Sequence, residues 1–207
     1  MRSASPTVRS RGPYRTGVRR REQIIGAATA VFAEYGYAGG SVRTIADRIG
    51  VSPASLLQHF GSKEGLLMAV LEDWDRRTVE AQLTDVTGLD YFCRLPEVMA
   101  ANVSNRGLLE LFTTMAAEAS SPTHPAHSFI QRRYTDNLAT LAGHLQQAVD
   151  AGDVAALSPA EIDIEVRLVT AILDGIGLQW LLDPSTDVIT STATYVNRTI
   201  TGWRSSR

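Results

Sequence analysis

The sequence predicts an all-α protein of about nine helices, a small three-helix head followed by a larger helical body. Three observations predict it. Apolar residues recur at helical spacing along most of the chain, with no alternating strand pattern beside them. Two short helical segments flank the turn Gly50-Val51-Ser52, the layout of a helix-turn-helix. Charge is divided unevenly: residues 1–63 carry ten basic and three acidic side chains, residues 64–207 ten basic and nineteen acidic. A basic end joined to an acidic body implies that one end meets a polyanion.

Residues 1–18 mix Arg with Ser, Pro, Thr and Gly without apolar periodicity, and read as a flexible basic arm. The head spans 19–65. Its first helix opens at Arg19 and buries Ile24, Ala28, Val31, Phe32 and Tyr35 on one face, ending at the glycines Gly36, Gly39 and Gly40. Ser41 is an N-cap for a short second helix with Val42, Ile45, Ala46 and Ile49 inward. After Gly50, Ser52 caps a third helix with Pro53 at its first position, where a missing N–H costs nothing. Gly61 ends it and Ser62 caps a fourth, with Leu66, Leu67, Val70, Leu71 and Trp74 inward.

The body spans 66–207. Helices are expected over Leu89–Asn102, Gly107–Ser120, Pro125–Ala151, Pro159–Asp183 and Val188–Gly202. Ser158-Pro159-Ala160-Glu161 is a capping box with Pro at the first helical position, and Asp183-Pro184 stops the same helix.

Composition narrows the function classes. With 44% hydrophobic and 20% charged residues the chain is an ordinary globular protein, and no apolar run reaches the roughly 20 residues that cross a bilayer. The basic N-terminus lacks a following apolar stretch, so a secretory signal is not expected and a cytoplasmic location is. Cys93 is the sole cysteine and reads as a small buried hydrophobe rather than a redox group. The sequence has no nucleophile elbow, phosphate loop, dinucleotide fingerprint or zinc motif, so neither catalysis nor a cofactor is expected. His124 and His127 lie three residues apart without a third ligand nearby, which is poor support for a metal.

The informative stretch is Arg43 to Leu67, RTIADRIGVSPASLLQHFGSKEGLL. Small residues at the start of the third helix (Pro53, Ala54, Ser55) let it approach the floor of a DNA major groove. Around it stand candidate phosphate partners: Arg43, Thr44, Gln58, His59 and Lys63, with Ser52 at the helix entrance. Two of these have competing roles. Arg43 is spaced to pair with Asp47, and Ser55 is either a helix-start cap or a DNA contact.

These residues resemble the TetR family of bacterial regulators. The matching features are Phe32-Ala33-Glu34-Tyr35-Gly36-Tyr37, Thr44-Ile45-Ala46, Gly50-Val51-Ser52 and the closing Phe60-Gly61-Ser62-Lys63-Glu64-Gly65-Leu66, together covering Ile24 to Leu67. Leu57 departs from the pattern: relatives commonly carry a phosphate-binding Tyr there, so Leu57 either packs inward or leaves the grip to His59 and Lys63. The run Leu173 to Pro184 is similar to the penultimate helix of a subgroup common in actinobacteria.

The resemblance implies a homodimer that binds a palindromic operator in double-stranded DNA and is released by a small-molecule effector, most simply as a repressor. A ligand-responsive activator and an architectural DNA-binding protein without an effector are the alternatives. It also implies an effector pocket in the body, for which Met99, Phe112, Met115, His127, Tyr134, Asp174 and Trp180 are candidates. Gly175, Gln179, Tyr195 and Trp203 are candidates for the dimer interface.

Overall fold

The structure is a computed structural model, and it describes residues 13–83, 85–124 and 126–205. Among these residues the chain forms ten α-helices and no strand. The head is built from α1 (Pro13–Gly39), α2 (Val42–Arg48) and α3 (Pro53–Phe60), and α4 (Lys63–Gln82) leads out of it. The body adds α5 (Leu89–Cys93), α6 (Leu95–Ser104), α7 (Arg106–Glu118), α8 (His127–Asp150), α9 (Pro159–Leu182) and α10 (Val188–Ser205).

The local chemistry of the head accounts for each break. The Ser41 hydroxyl accepts from Thr44 N–H at 3.0 Å and the Ser52 hydroxyl from Ser55 N–H at 3.1 Å, so α2 and α3 each start on a serine cap. Gly61 takes φ 76° and donates its N–H to Leu57 at 2.7 Å, a left-handed stop that disfavours any side chain. Ser62 then caps α4 by accepting from Gly65 N–H at 3.1 Å.

Two expectations change. Residues 13–18, assigned to the basic arm, are the opening of α1, with Pro13 at the first helical position; residues 1–12 of that arm lie outside the described residues. The helix expected over 89–102 is two helices divided at Arg94, because Pro96 has no N–H to carry the ladder through. The predicted division at 65/66 falls within α4.

Two apolar clusters hold the molecule together. The first joins the head to the near end of the body: Phe32, Ile45, Leu56 and Leu66 are fully buried with Leu111, Phe112 and Met115 of α7 and Phe129 of α8. The second fills the far end around Phe92, Leu145, Val166 and Trp203. Trp203 stands edge-on to Phe92 at 5.0 Å between ring centres and donates its indole N–H to Glu165 at 2.9 Å. The helices α1 and α7 come so close that a Cβ on Gly107 would lie 2.5 Å from the Ala33 carbonyl oxygen. Only glycine fits that crossing.

Candidate nucleic-acid interface and body cavity

The second and third helices present a free outer face. Leu56 is buried beneath α3, while Pro53, Ala54, Leu57, Gln58 and His59 are exposed on it. On α2, Arg43 is exposed and makes no ion pair among the described residues; the pairing with Asp47 does not form. Thr44 shares a 2.8 Å hydroxyl contact with Ser41, which holds it at the helix start while leaving it at the surface. Lys63 stands at the first position of α4 with its ammonium 4.4 Å from the centre of the Tyr37 ring, a cation–π contact. Tyr37 in turn donates to Glu64 at 2.8 Å, and that hydrogen bond holds the Glu64 carboxyl below its ordinary range. Arg21 caps the ring of Phe60 at 5.2 Å, adding a cation at the end of α3 that sequence reasoning did not single out.

The body encloses a cavity of about 290 Å³ between α4 and α9. Its walls are largely apolar, with Leu95, Met99, Leu109 and Phe112 among them, and Trp74 closes the side toward the head. The charged groups enter from α8 and α9. Tyr134 donates to Asp174 at 2.7 Å, and the Arg133 guanidinium lies 4.2 Å from the centre of the Phe112 ring. Burial of its carboxyl pushes Asp174 up from the ordinary carboxylate range, and the Tyr134 hydroxyl offsets part of that. Tyr134 is itself raised by burial and by the facing carboxylate. Such a chamber, apolar with a few placed polar groups, is what small-molecule sites look like.

Residues 24–70 match the family model described as bacterial regulatory proteins, tetR family. The head of the chain thus carries the TetR-family pattern. It is 31% identical over 112 residues to the HTH-type transcriptional repressor KstR2 of Rhodococcus jostii, a stretch covering 54% of this chain and 48% of that protein. It is 27% identical over 169 residues to the HTH-type transcriptional regulator BetI of Vibrio vulnificus, covering 80% of this chain and 82% of BetI. The chain therefore spans about half the length of the first relative and most of the second. Its fold superposes on the transcriptional regulator FadR of Bacillus subtilis, solved in complex with stearoyl-CoA, with a TM-score of 0.72 at 19% identity, over 87% of this chain and 98% of FadR. Both KstR2 and BetI carry names of transcriptional regulators.

The TetR-type head brings its predicted residues together. Arg43, Thr44, Ser52, Pro53, Ala54, Gln58 and His59 are all exposed on α2, α3 and their junction, and Lys63 is half-buried at the next helix start. Ser52 is the helix cap, and Ser55 supplies the capped N–H, so the Ser55 hydroxyl is not the cap acceptor. Leu57 does not pack inward: it is 36% exposed.

The body is less faithful to expectation. Met99, Phe112, Tyr134 and Asp174 line the cavity. Met115, His127 and Trp180 do not. Met115, one turn on from Phe112 and in the same apolar cluster, is buried in the seam between α7 and the head. The His127 ring is held 2.7 Å from the Ala119 carbonyl, bracing the turn between α7 and α8. Trp180 is covered by Arg106, whose guanidinium lies 5.1 Å from its ring and donates to the Leu181 carbonyl.

Of the interface candidates, Gln179 is exposed and Gly175 half-buried on α9, where Gly175 also touches the cavity; Tyr195 packs half-buried against the far core. Trp203 is only 4% exposed inside its own protomer, so it is core and not interface. Cys93 is exposed rather than buried, because α5 turns its Tyr91 and Phe92 inward instead. Asn102, Thr113, Arg133 and Asn137 line the cavity and were missed; polar residues on amphipathic helices look alike until the packing decides which flank faces in.

Proposed function

We propose that this chain is a homodimeric, sequence-specific DNA-binding regulator, released from a palindromic operator by a small molecule held in the body cavity. The observation that carries the reading is the exposed outer face of α3, flanked by Arg43, His59 and Lys63 above a fully buried Leu56. A short helix with small residues at its start can enter a major groove while the cations grip the backbone.

The dimer rests on a second feature. Along α9, Ile164, Leu168, Ile172, Leu178 and Leu182 form an exposed apolar stripe at helical spacing, between 37% and 79% accessible, and Ile189 of α10 adjoins it. The opposite flank of α9, with Val166, Val169 and Gly177, is already in the core. An apolar face of that extent on a protomer marks a contact surface. A second copy placed there by a twofold axis would pair two recognition helices, and half-sites one turn of duplex apart require them about 34–36 Å from each other.

The cavity supplies the switch. Its wall includes Trp74 of α4, the helix that leaves the head, and one flank of α7, whose other flank packs on α1. A ligand that favours one placement of those helices over the other shifts operator affinity by its difference in affinity for the two, typically about 1–3 kcal/mol. Repression is the direction that KstR2 shares by name.

The test is to incubate the full chain with sheared DNA from its source and sequence what is retained. One recurring palindrome is expected. Retained fragments without a shared motif would make it a non-specific binder and remove the recognition role from α3.

A further inference from the structure

The polar groups that the cavity leaves unengaged decide what it will accept. Among the described residues that line it, Arg133 and Asp174 are the charged ones, and their charges cancel. Neither is idle. The Asp174 carboxylate is bonded to Tyr134 and the Arg133 guanidinium is stacked on Phe112. The hydroxyl of Thr113 is likewise spent, donating to the Leu109 carbonyl at 2.8 Å, and that of Thr170 donates to the Val166 carbonyl at 2.9 Å.

What remains is neutral. Asn137 on α8 is half-buried and makes no hydrogen bond among the described residues. Asn102 on α6 reaches only the Met99 sulfur at 3.8 Å, a weak acceptor. The Trp74 indole nitrogen is buried in the same wall without a hydrogen-bond partner among the described residues. Amide and indole groups satisfy carbonyl and hydroxyl oxygens well. They cannot compensate the desolvation of a full charge, which in an apolar chamber costs several kcal/mol unless a counter-charge is free.

We propose that the cavity selects a neutral, predominantly apolar molecule bearing one or two carbonyl or hydroxyl oxygens, held by the side-chain amides of Asn102 and Asn137. Fatty anions, alkylammonium ions and polyphosphorylated thioesters are disfavoured on this ground. The inference rests on the reading of the cavity as an effector site, and it specifies the ligand class.

Thermal unfolding of the full chain in a chain-matched series tests it: decanol, 2-decanone, decanoate and decylammonium at equal concentration. The alcohol and the ketone are expected to raise Tm more than either ion. Asn137→Leu and Asn102→Leu, which keep the volume of the side chain, should each weaken binding of the neutral pair about tenfold, the equivalent of one hydrogen bond to an otherwise buried group. A larger shift from decanoate or decylammonium would overturn the proposal, as would a shift that both Asn variants leave intact, or no shift from any member. Operator retention measured on the same samples separates the two readings. A neutral ligand that raises Tm but leaves operator retention unchanged upholds the ligand class and defeats the switch.

Discussion

The head and the body of this protein solve opposite problems. The head puts its candidate groups outside: a fully buried Leu56 anchors α3, and the side chains beyond it face solvent. The body puts its candidate groups inside, around a chamber whose polar residues come from helices α5 through α9. The head's candidate residues lie within one run from Arg43 to Lys63, while the cavity draws on positions from Trp74 to Leu178. A surface made from adjacent turns is set by local sequence, because capping and helix register fix what faces out. A chamber made by helices distant in sequence is set by packing.

The contrast is sharpest at the stripe on α9, the part of the body that faces out. Replacing Leu168 and Ile172 together by Glu puts charge into the proposed dimer seam without touching the protomer core. Light scattering should then show a monomer, and operator affinity should fall by about a hundredfold or more, since each head would bind alone. A dimer surviving both substitutions would place the interface elsewhere. The next effect is on the junction between head and body. Gly107→Val forces side-chain atoms onto Ala33, where even a Cβ would sit 2.5 Å from its carbonyl oxygen and 2.6 Å from its Cβ. Overpacking of this kind costs about 1–3 kcal/mol, read as a lower denaturation midpoint. An unchanged midpoint would mean that α1 and α7 separate freely, and that α7 does not carry the signal between cavity and head.

A smaller effect distinguishes the phosphate grip from ordinary surface charge. Arg43→Ala and Lys63→Ala should each weaken operator binding severalfold on every sequence. Each should also make the salt dependence shallower by about 1.8 in logarithmic slope, because a dimer loses two contacts. Arg167→Ala is the control: that residue is exposed and paired with Asp163 on the body, at 2.8 Å. If all three variants shared one slope, the cations of the head would be no closer to DNA than those of the body.

How far the sequence could be read follows the same division. The caps Ser41, Ser52, Ser62 and Ser158 and the stop at Gly61 are local chemistry, and each is found where its residue type and neighbours put it. The body helices were legible to within a few residues for the same reason. Their flanks were not. Phe112 and Met115 are three apart on α7 and both join the cluster with the head, yet only Phe112 reaches the cavity. Trp203 read as an interface residue because a large aromatic near a chain end is ambiguous until Phe92 and Glu165 are found beside it. Asn102 and Asn137 carry no signal in sequence at all, since an amide on a helix is ordinary until both of its neighbouring helices are placed.

The last comparison lies within the cavity, between the carboxylate that is satisfied and the charge that the chamber disfavours. Asp174 is bonded to Tyr134, but burial raises its pKa above the unfolded value. For an acid shifted upward, the folded state holds its proton more tightly than the unfolded state. The contribution to stability is therefore greatest below the unfolded pKa and declines as pH rises through the folded one. Once ionised, the group is a burden on the ligand-free protein. Asp174→Asn retains an oxygen to accept from Tyr134 and removes the charge, so it should raise Tm slightly at neutral pH and match the parent in mild acid. A variant less stable than the parent at neutral pH would show that attraction between Asp174 and Arg133 outweighs desolvation. The cavity would then tolerate a charge, and the case for a neutral ligand would weaken with it.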